Sequence, residues 1–286
     1  MNRDELFDAT LIVFGHGSTK NEESSAVVYQ HAAELRRRKI FAEVREAFWK
    51  QEPQIKSALE TLSRPRVFIA PLFISEGYFS DDVIPRSLGF SPGQSTLNQQ
   101  LSTLFYCRPV GTHDSMIDVL LARAREVATK FPFPRSPMPQ DTTLFIAGHG
   151  TQQNENSRKP MERQVERIRA LKEFADVHAV FLEEEPRVAK CYELARTKNI
   201  IVVPFFISEG MHTQEDIPIL LGEPKRLVEE RLAKRQPTWR NPTERHEKLV
   251  WYAAPVGTDA RIADVILERV RECSGGLRPP PLKQTL

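Results

Sequence analysis

Short apolar runs alternate with longer amphipathic ones along the chain. In the first half, "TLIVFG", "FAEVREAFW", "RVFIAPLF" and "TLFYCRPV" read as strands. Apolar positions at helical spacing mark "SAVVYQHAAELRRRK", "PQIKSALETL" and "DSMIDVLLARAREVA" as helices. Strands that alternate with helices predict a parallel sheet covered on both faces. In such sheets ligands bind beyond the C-terminal ends of the strands.

The same pattern then runs a second time. An interval of 133 separates Gly15 from Gly148, Phe48 from Phe181, Pro71 from Pro204 and Pro85 from Pro218. "FGHGSTKNEES" matches "AGHGTQQNENS", "AFWKQEPQI" matches "VFLEEEPRV", and "APLFISEGYFSDDVIP" matches "VPFFISEGMHTQEDIP". The last pair, "RPVGTHDSMIDVLLAR" and "APVGTDARIADVILER", lies 146 apart (Pro109 to Pro255), so the second half gains about thirteen residues before its final strand. The chain is a duplication. The expected fold is α/β, with two duplicated domains at 8–130 and 142–273. Each should carry a parallel four-stranded sheet flanked by helices, and two such units packed together would leave an interdomain cleft at the C-terminal strand ends. The proline-rich segment 131–141 is the expected linker. The Gly/Pro-rich tail 274–286 is expected to be disordered.

Composition narrows the class. The 286 residues suffice for two domains that each bury a core. A net charge of +2 gives no strong pull toward nucleic acid or a membrane surface. The opening "MNRDELFDAT" lacks an apolar signal region, and no run of about 18 apolar residues occurs, so a cytoplasmic location is expected. Cys107, Cys191 and Cys273 are too far apart for a CxxC metal site and too few for a disulfide framework.

Two strand-end segments carry the candidate chemistry. Glycines on both sides of His149 permit a sharp turn, and alone they imply no more than that. "FFISEGMHTQEDIP" adds His212 at the end of another strand, where it can lie beside His149. Two neutral imidazoles suit a divalent transition metal. "FLEEEP" supplies Glu183 as a third ligand or a proton acceptor. Glu185, whose counterpart Glu52 also precedes a proline, reads instead as a helix-start residue. The first half is an internal control. It keeps His16, but Phe79 stands for His212 and Lys50 for Glu183. Only the second half can assemble the His/His/carboxylate set.

The string "GHGT…FLEEEP…VPFFISEGMHTQEDIP…APVGT" resembles the class II tetrapyrrole chelatases, the sirohydrochlorin cobalto- and ferrochelatases of the CbiX/SirB/CbiK type. The resemblance spans both halves and fits the second best. It implies a lyase of two chelatase-like domains that inserts Co2+ or Fe2+, or Ni2+, into sirohydrochlorin or a related tetrapyrrole without ATP, in cobalamin- or siroheme-type biosynthesis. The metal is then a substrate, and no organic cofactor is expected. The resemblance places His149 and His212 on the ion, with Glu183 as the matching glutamate. Both imidazoles must be neutral to ligate, so activity should fall in acid. His16, Ser18, Lys20 and Thr151, beside the two turns, are candidate substrate contacts. The inserted segment offers Lys225, Arg226, Arg231, Lys234, Arg235 and Arg240 to a polycarboxylate. Interleaved Glu223, Glu229 and Glu230 make a solvated amphipathic helix the plainer reading. Two other readings compete. A histidine phosphatase needs arginine before the histidine, where this chain has Gly15 and Gly148. A non-catalytic protein that binds or delivers metal or tetrapyrrole would also explain the degenerate first half.

Overall fold

The run "TLIVFG" becomes β1 (Ala9–Gly15) and its copy becomes β6 (Thr142–Gly148), and every residue of both strands is buried. A strand buried on both faces belongs in the middle of a helix-covered sheet, which is why these runs are continuously apolar. The computed structural model describes residues 6–18, 23–62, 64–99, 102–150 and 158–275. Lys20, Thr151 and residues 276–286 of the expected disordered tail lie outside them.

The first half runs β1, α1 (Glu23–Arg38), β2 (Glu43–Phe48), α2 (Ile55–Glu60), β3 (Arg66–Pro71), α3 (Ile84–Ser87), β4 (Thr96–Asn98), β5 (Thr103–Tyr106) and α4 (Met116–Lys130). The second runs β6, α5 (Arg158–Leu171), β7 (Asp176–Phe181), α6 (Cys191–Leu194), β8 (Asn199–Pro204), α7 (Ile217–Leu220), α8 (Lys225–Ala233), β9 (Thr243–Arg245), β10 (Lys248–Tyr252) and α9 (Ile262–Ser274). The strand orders are β2-β1-β3-β5-β4 and β7-β6-β8-β10-β9. The four parallel strands expected of each sheet are all present. Each sheet also has a fifth strand at its edge, β4 or β9, paired antiparallel. Three residues are too few to show a period of two, so these edge strands leave no trace in the hydrophobic pattern.

The compact units do not follow the repeat boundaries. One comprises Met1–His113 with Ala260–Leu286, and the other Asp114–Asp259. The segment 131–141 separates the two repeats in sequence, but it does not separate the compact units. Within the first unit α9 packs on β3 and β5, and within the second α4 packs on β8 and β10. The repeats have exchanged their last helices. Their segments "DVLLAR" and "DVILER" carry the same apolar pattern. Arg269 of α9 donates to Thr112 Oγ1 (2.6 Å) and the Pro109 carbonyl (3.0 Å), and Arg123 of α4 likewise donates to Thr258 Oγ1 (2.7 Å).

Glu272 completes the α9 anchor. Burial works against its carboxylate, but hydrogen bonds from His113 and Arg269 outweigh burial and hold its pKa at about 2, below the ordinary 4.5. A depressed carboxylate stabilises the fold fully above its unfolded pKa and loses that contribution as pH falls toward the folded value. Urea midpoints of the native protein are thus expected to fall between pH 5 and pH 3 more steeply than those of Glu272→Gln. Parallel slopes would remove Glu272 from the acid response.

The thirteen extra residues of the second half supply α8. It buries Val228 and Arg231 and exposes most of the rest. Arg231 turns inward to Glu223 (3.2 Å) and the Thr238 carbonyl (2.7 Å), while Lys234 pairs with Glu230 (2.6 Å). Arg231 is a buried strut and not a rim charge for a polycarboxylate.

Candidate metal centre

β6 lies between β7 and β8, so the loops that follow these three strands emerge side by side. They carry His149, Glu183 and His212 respectively, all in the second unit. Backbone hydrogen bonds continue the ladder past the strand ends. Leu182 N–H donates to the Gly148 carbonyl (3.0 Å), Glu183 N–H to that of His149 (3.0 Å), and Phe205 N–H to that of Ala147 (2.7 Å). The three candidates are therefore held by main chain as well as by packing.

The second glycine of the turn is required. Gly150 has φ +70°, and a Cβ there would lie 2.7 Å from Glu184 Cγ and 3.0 Å from Phe181 Cβ. Gly17 of the first repeat has the same φ and meets Gln51 and Phe48 in the same way.

The predicted convergence of the two imidazoles is present. The His149 and His212 rings lie 4.8 Å apart at 84°. Both side chains keep about two fifths of their surface open. His149 Nδ1 is 2.7 Å from the Gly150 carbonyl oxygen, which can only accept. A hydrogen on Nδ1 suits that contact and leaves the Nε2 lone pair to a ligand. Glu183, more exposed still, lies beside that atom, Oε1 to Nε2 3.8 Å. The expected three-ligand set is accordingly two facing imidazoles with a carboxylate flanking one of them. Among the described residues no group of three His, Cys, Asp or Glu side chains closes into a cage for an ion.

Two further residues shape the site. His212 opens a π-helical turn (His212–Asp216), and its Nδ1 lies 2.7 Å from Asp216 Oδ2. Tyr252 of β10 donates its hydroxyl to the Thr213 carbonyl (2.7 Å) inside that turn. Burial raises the Tyr252 phenol well above its ordinary pKa, so it remains a donor. The sequence reading missed both. The i, i+4 spacing within "HTQED" was a legible signal for Asp216, whereas the Tyr252 contact spans 39 positions and leaves none.

The first repeat reproduces the frame without the chemistry. His16 Nδ1 is 2.9 Å from the Gly17 carbonyl oxygen, Lys50 N–H donates to the His16 carbonyl (2.9 Å), and Tyr106 donates to the Ser80 carbonyl (2.9 Å). Its π-helical turn, Phe79–Val83, puts Phe79 5.5 Å from His16, and Trp49 packs edge-on to Phe79 at 5.4 Å. Ser18 N–H donates to Gln51 Oε1 (2.9 Å). Glu52 and Glu185 each accept a backbone N–H two residues on, at Gln54 and Arg187, just ahead of the helical turns at Ile55 and Val188.

Comparison with known proteins identifies relatives of the chain. The family model for CbiX matches residues 10–127 and 143–273. A probable sirohydrochlorin cobaltochelatase of Halobacterium salinarum is 41% identical over 277 residues, 92% of this chain and 90% of that one. The crystal structure of a multi-domain protein of Deinococcus radiodurans with structural similarity to chelatases superposes with a TM-score of 0.74 at 26% identity. The match covers 96% of this chain and 57% of that protein, so the chain spans little more than half of its length. SirB of Bacillus subtilis, solved with Fe3+, gives a TM-score of 0.67 at 14% identity over 94% of this chain and 96% of its own, a likeness of fold.

Proposed function

The chain belongs to the CbiX family, and on that premise we propose that it inserts a divalent metal ion into sirohydrochlorin or a closely related tetrapyrrole without ATP. The observation that carries the reading is the facing pair His149 and His212, at 4.8 Å between rings, formed only in the second repeat. Insertion must strip water from the ion and remove two pyrrole N–H protons. Two imidazole Nε2 atoms hold an ion while leaving its other positions open to incoming pyrrole nitrogens. The 3.8 Å approach of Glu183 to His149 supports it as the acceptor of a pyrrole proton. Imidazole ligands serve Fe2+, Co2+ and Ni2+. Cobalt is the first ion to offer, because the Halobacterium relative is named as a cobaltochelatase.

The test is direct. Purified protein is mixed with sirohydrochlorin and Co2+, Ni2+ or Fe2+, and the absorbance of the metallated product is followed. Insertion faster than the protein-free control with at least one ion is expected. No acceleration with any of the three would leave a protein that only binds or delivers metal or tetrapyrrole.

A further inference from the structure

We infer that Asp216 is a positioning residue that fixes His212 with its hydrogen on Nδ1 and its lone pair on Nε2, the nitrogen left to an incoming ion. The inference rests on the reading of His149 and His212 as the ion-holding pair. A carboxylate can only accept from a ring N–H, and Oδ2 of Asp216 lies 2.7 Å from Nδ1 of His212. Among the described residues no lysine or arginine pairs with Asp216. A second-shell acceptor of this kind sets the tautomer, holds the ring plane and raises the basicity of the ligating nitrogen.

The duplication supplies the control that separates this role from a structural one. Asp216 corresponds to Val83 at the interval of 133, just as His212 corresponds to Phe79. The π-helical turn Phe79–Val83 forms with neither polar residue, and it leads into a helix at Ile84 as the other leads into one at Ile217. The turn therefore does not need the carboxylate to fold. Nor does helix polarity account for it. An acid near the start of a helix favours the fold, and Glu215 and its counterpart Asp82 already supply one in each repeat. Each turn holds two acids, Asp81 and Asp82 in the first repeat and Glu215 and Asp216 in the second, but only Asp216 stands four residues after a histidine. His149 reaches the same tautomer by another route, through the Gly150 carbonyl. Both imidazoles thus present Nε2, one oriented by main chain and one by Asp216.

The experiment uses the full chain and needs no tetrapyrrole. Long-range proton–nitrogen correlation spectra of 15N-histidine protein assign the His212 signals by their loss in His212→Phe. Native protein is expected to show Nδ1 protonated and Nε2 bare. Asp216→Val, which imports the residue of the first repeat, should shift His212 toward the Nε2–H tautomer. It should also weaken binding of Co2+ alone by about 10- to 100-fold. Asp216→Asn keeps an oxygen acceptor and should restore the native tautomer and most of the Co2+ affinity. An unchanged urea midpoint in each variant shows that the turn is folded. The proposal is overturned if Asp216→Val keeps the native tautomer, if it binds Co2+ within about twofold of native, or if Asp216→Asn behaves as Asp216→Val. Failure of the insertion assay would sink the chelatase reading and leave these measurements to judge Asp216 separately.

Discussion

Replacing His212 with phenylalanine is expected to leave the protein folded and to slow metal insertion by about 100-fold or more. Loss of a group behind a metal ligand costs about 10- to 100-fold, and loss of a ligand itself is expected to reach or exceed the upper end. Folding should survive because the first repeat has run the substitution already. Phe79 occupies the same π-helical turn, closed by the same tyrosine hydroxyl-to-carbonyl bond, Tyr106 to Ser80 there and Tyr252 to Thr213 here. The Phe206 ring, 6.0 Å from His212, offers the new phenyl group an apolar neighbour. The partner experiment is His16→Ala. His16 is oriented by Gly17 as His149 is by Gly150, but it faces Phe79 and no second imidazole. Its loss should keep the rate within about twofold. A rate in His212→Phe equal to native would refute the assignment of the ion to this pair. A large loss in His16→Ala would make His16 a substrate contact.

The hydrophobic pattern revealed the sheets, and the repeat revealed the site, for different physical reasons. β1 and β6 are legible because a central strand buried on both faces must be apolar throughout, as "TLIVFG" and "TLFIAG" are. His149 and His212 are legible because adjacent parallel strands place their exit loops together, and because Phe79 shows that the loop does not need a histidine. Asp216 was within reach by the same comparison with Val83. The exchange of α4 and α9 was not. A helix reports that one of its faces is apolar, and nothing in "DVLLAR" or "DVILER" says which of two similar sheets will cover it. The edge strands β4 and β9 fall below the length at which alternation is visible. Glu183 lies between these cases: sequence put it in the loop after β7 as a third ligand or a proton acceptor, and its carboxylate lies 3.8 Å from His149 Nε2.

Gly257→Ala is expected to destabilise the protein by about 3 kcal/mol or more, and to reduce insertion with it. A Cβ at Gly257 would stand 1.9 Å from the Ile207 carbonyl oxygen and 2.3 Å from its Cα, contacts that no rotamer relieves because both are main chain. The two segments are already drawn together by the hydrogen bond from Gly257 N–H to the Phe206 carbonyl (2.9 Å). Phe206 and Ile207 lead from β8 toward the His212 turn, so the displacement needed to admit a methyl group is passed to the site. Gly77→Ala is the matched control. A Cβ there meets nothing within 4 Å, and the unfolding free energy from urea titration should hold or rise by up to about 1 kcal/mol. A Gly257→Ala unfolding free energy within about 0.5 kcal/mol of native would show that the segments part freely. The first repeat makes the same demand, with Gly111 2.0 Å from the Ile74 carbonyl oxygen on the same construction. "PVGT" therefore recurs for packing. Its glycine lets the chain cross the strand-end segment at a distance no side chain allows, whether or not that segment goes on to carry a histidine.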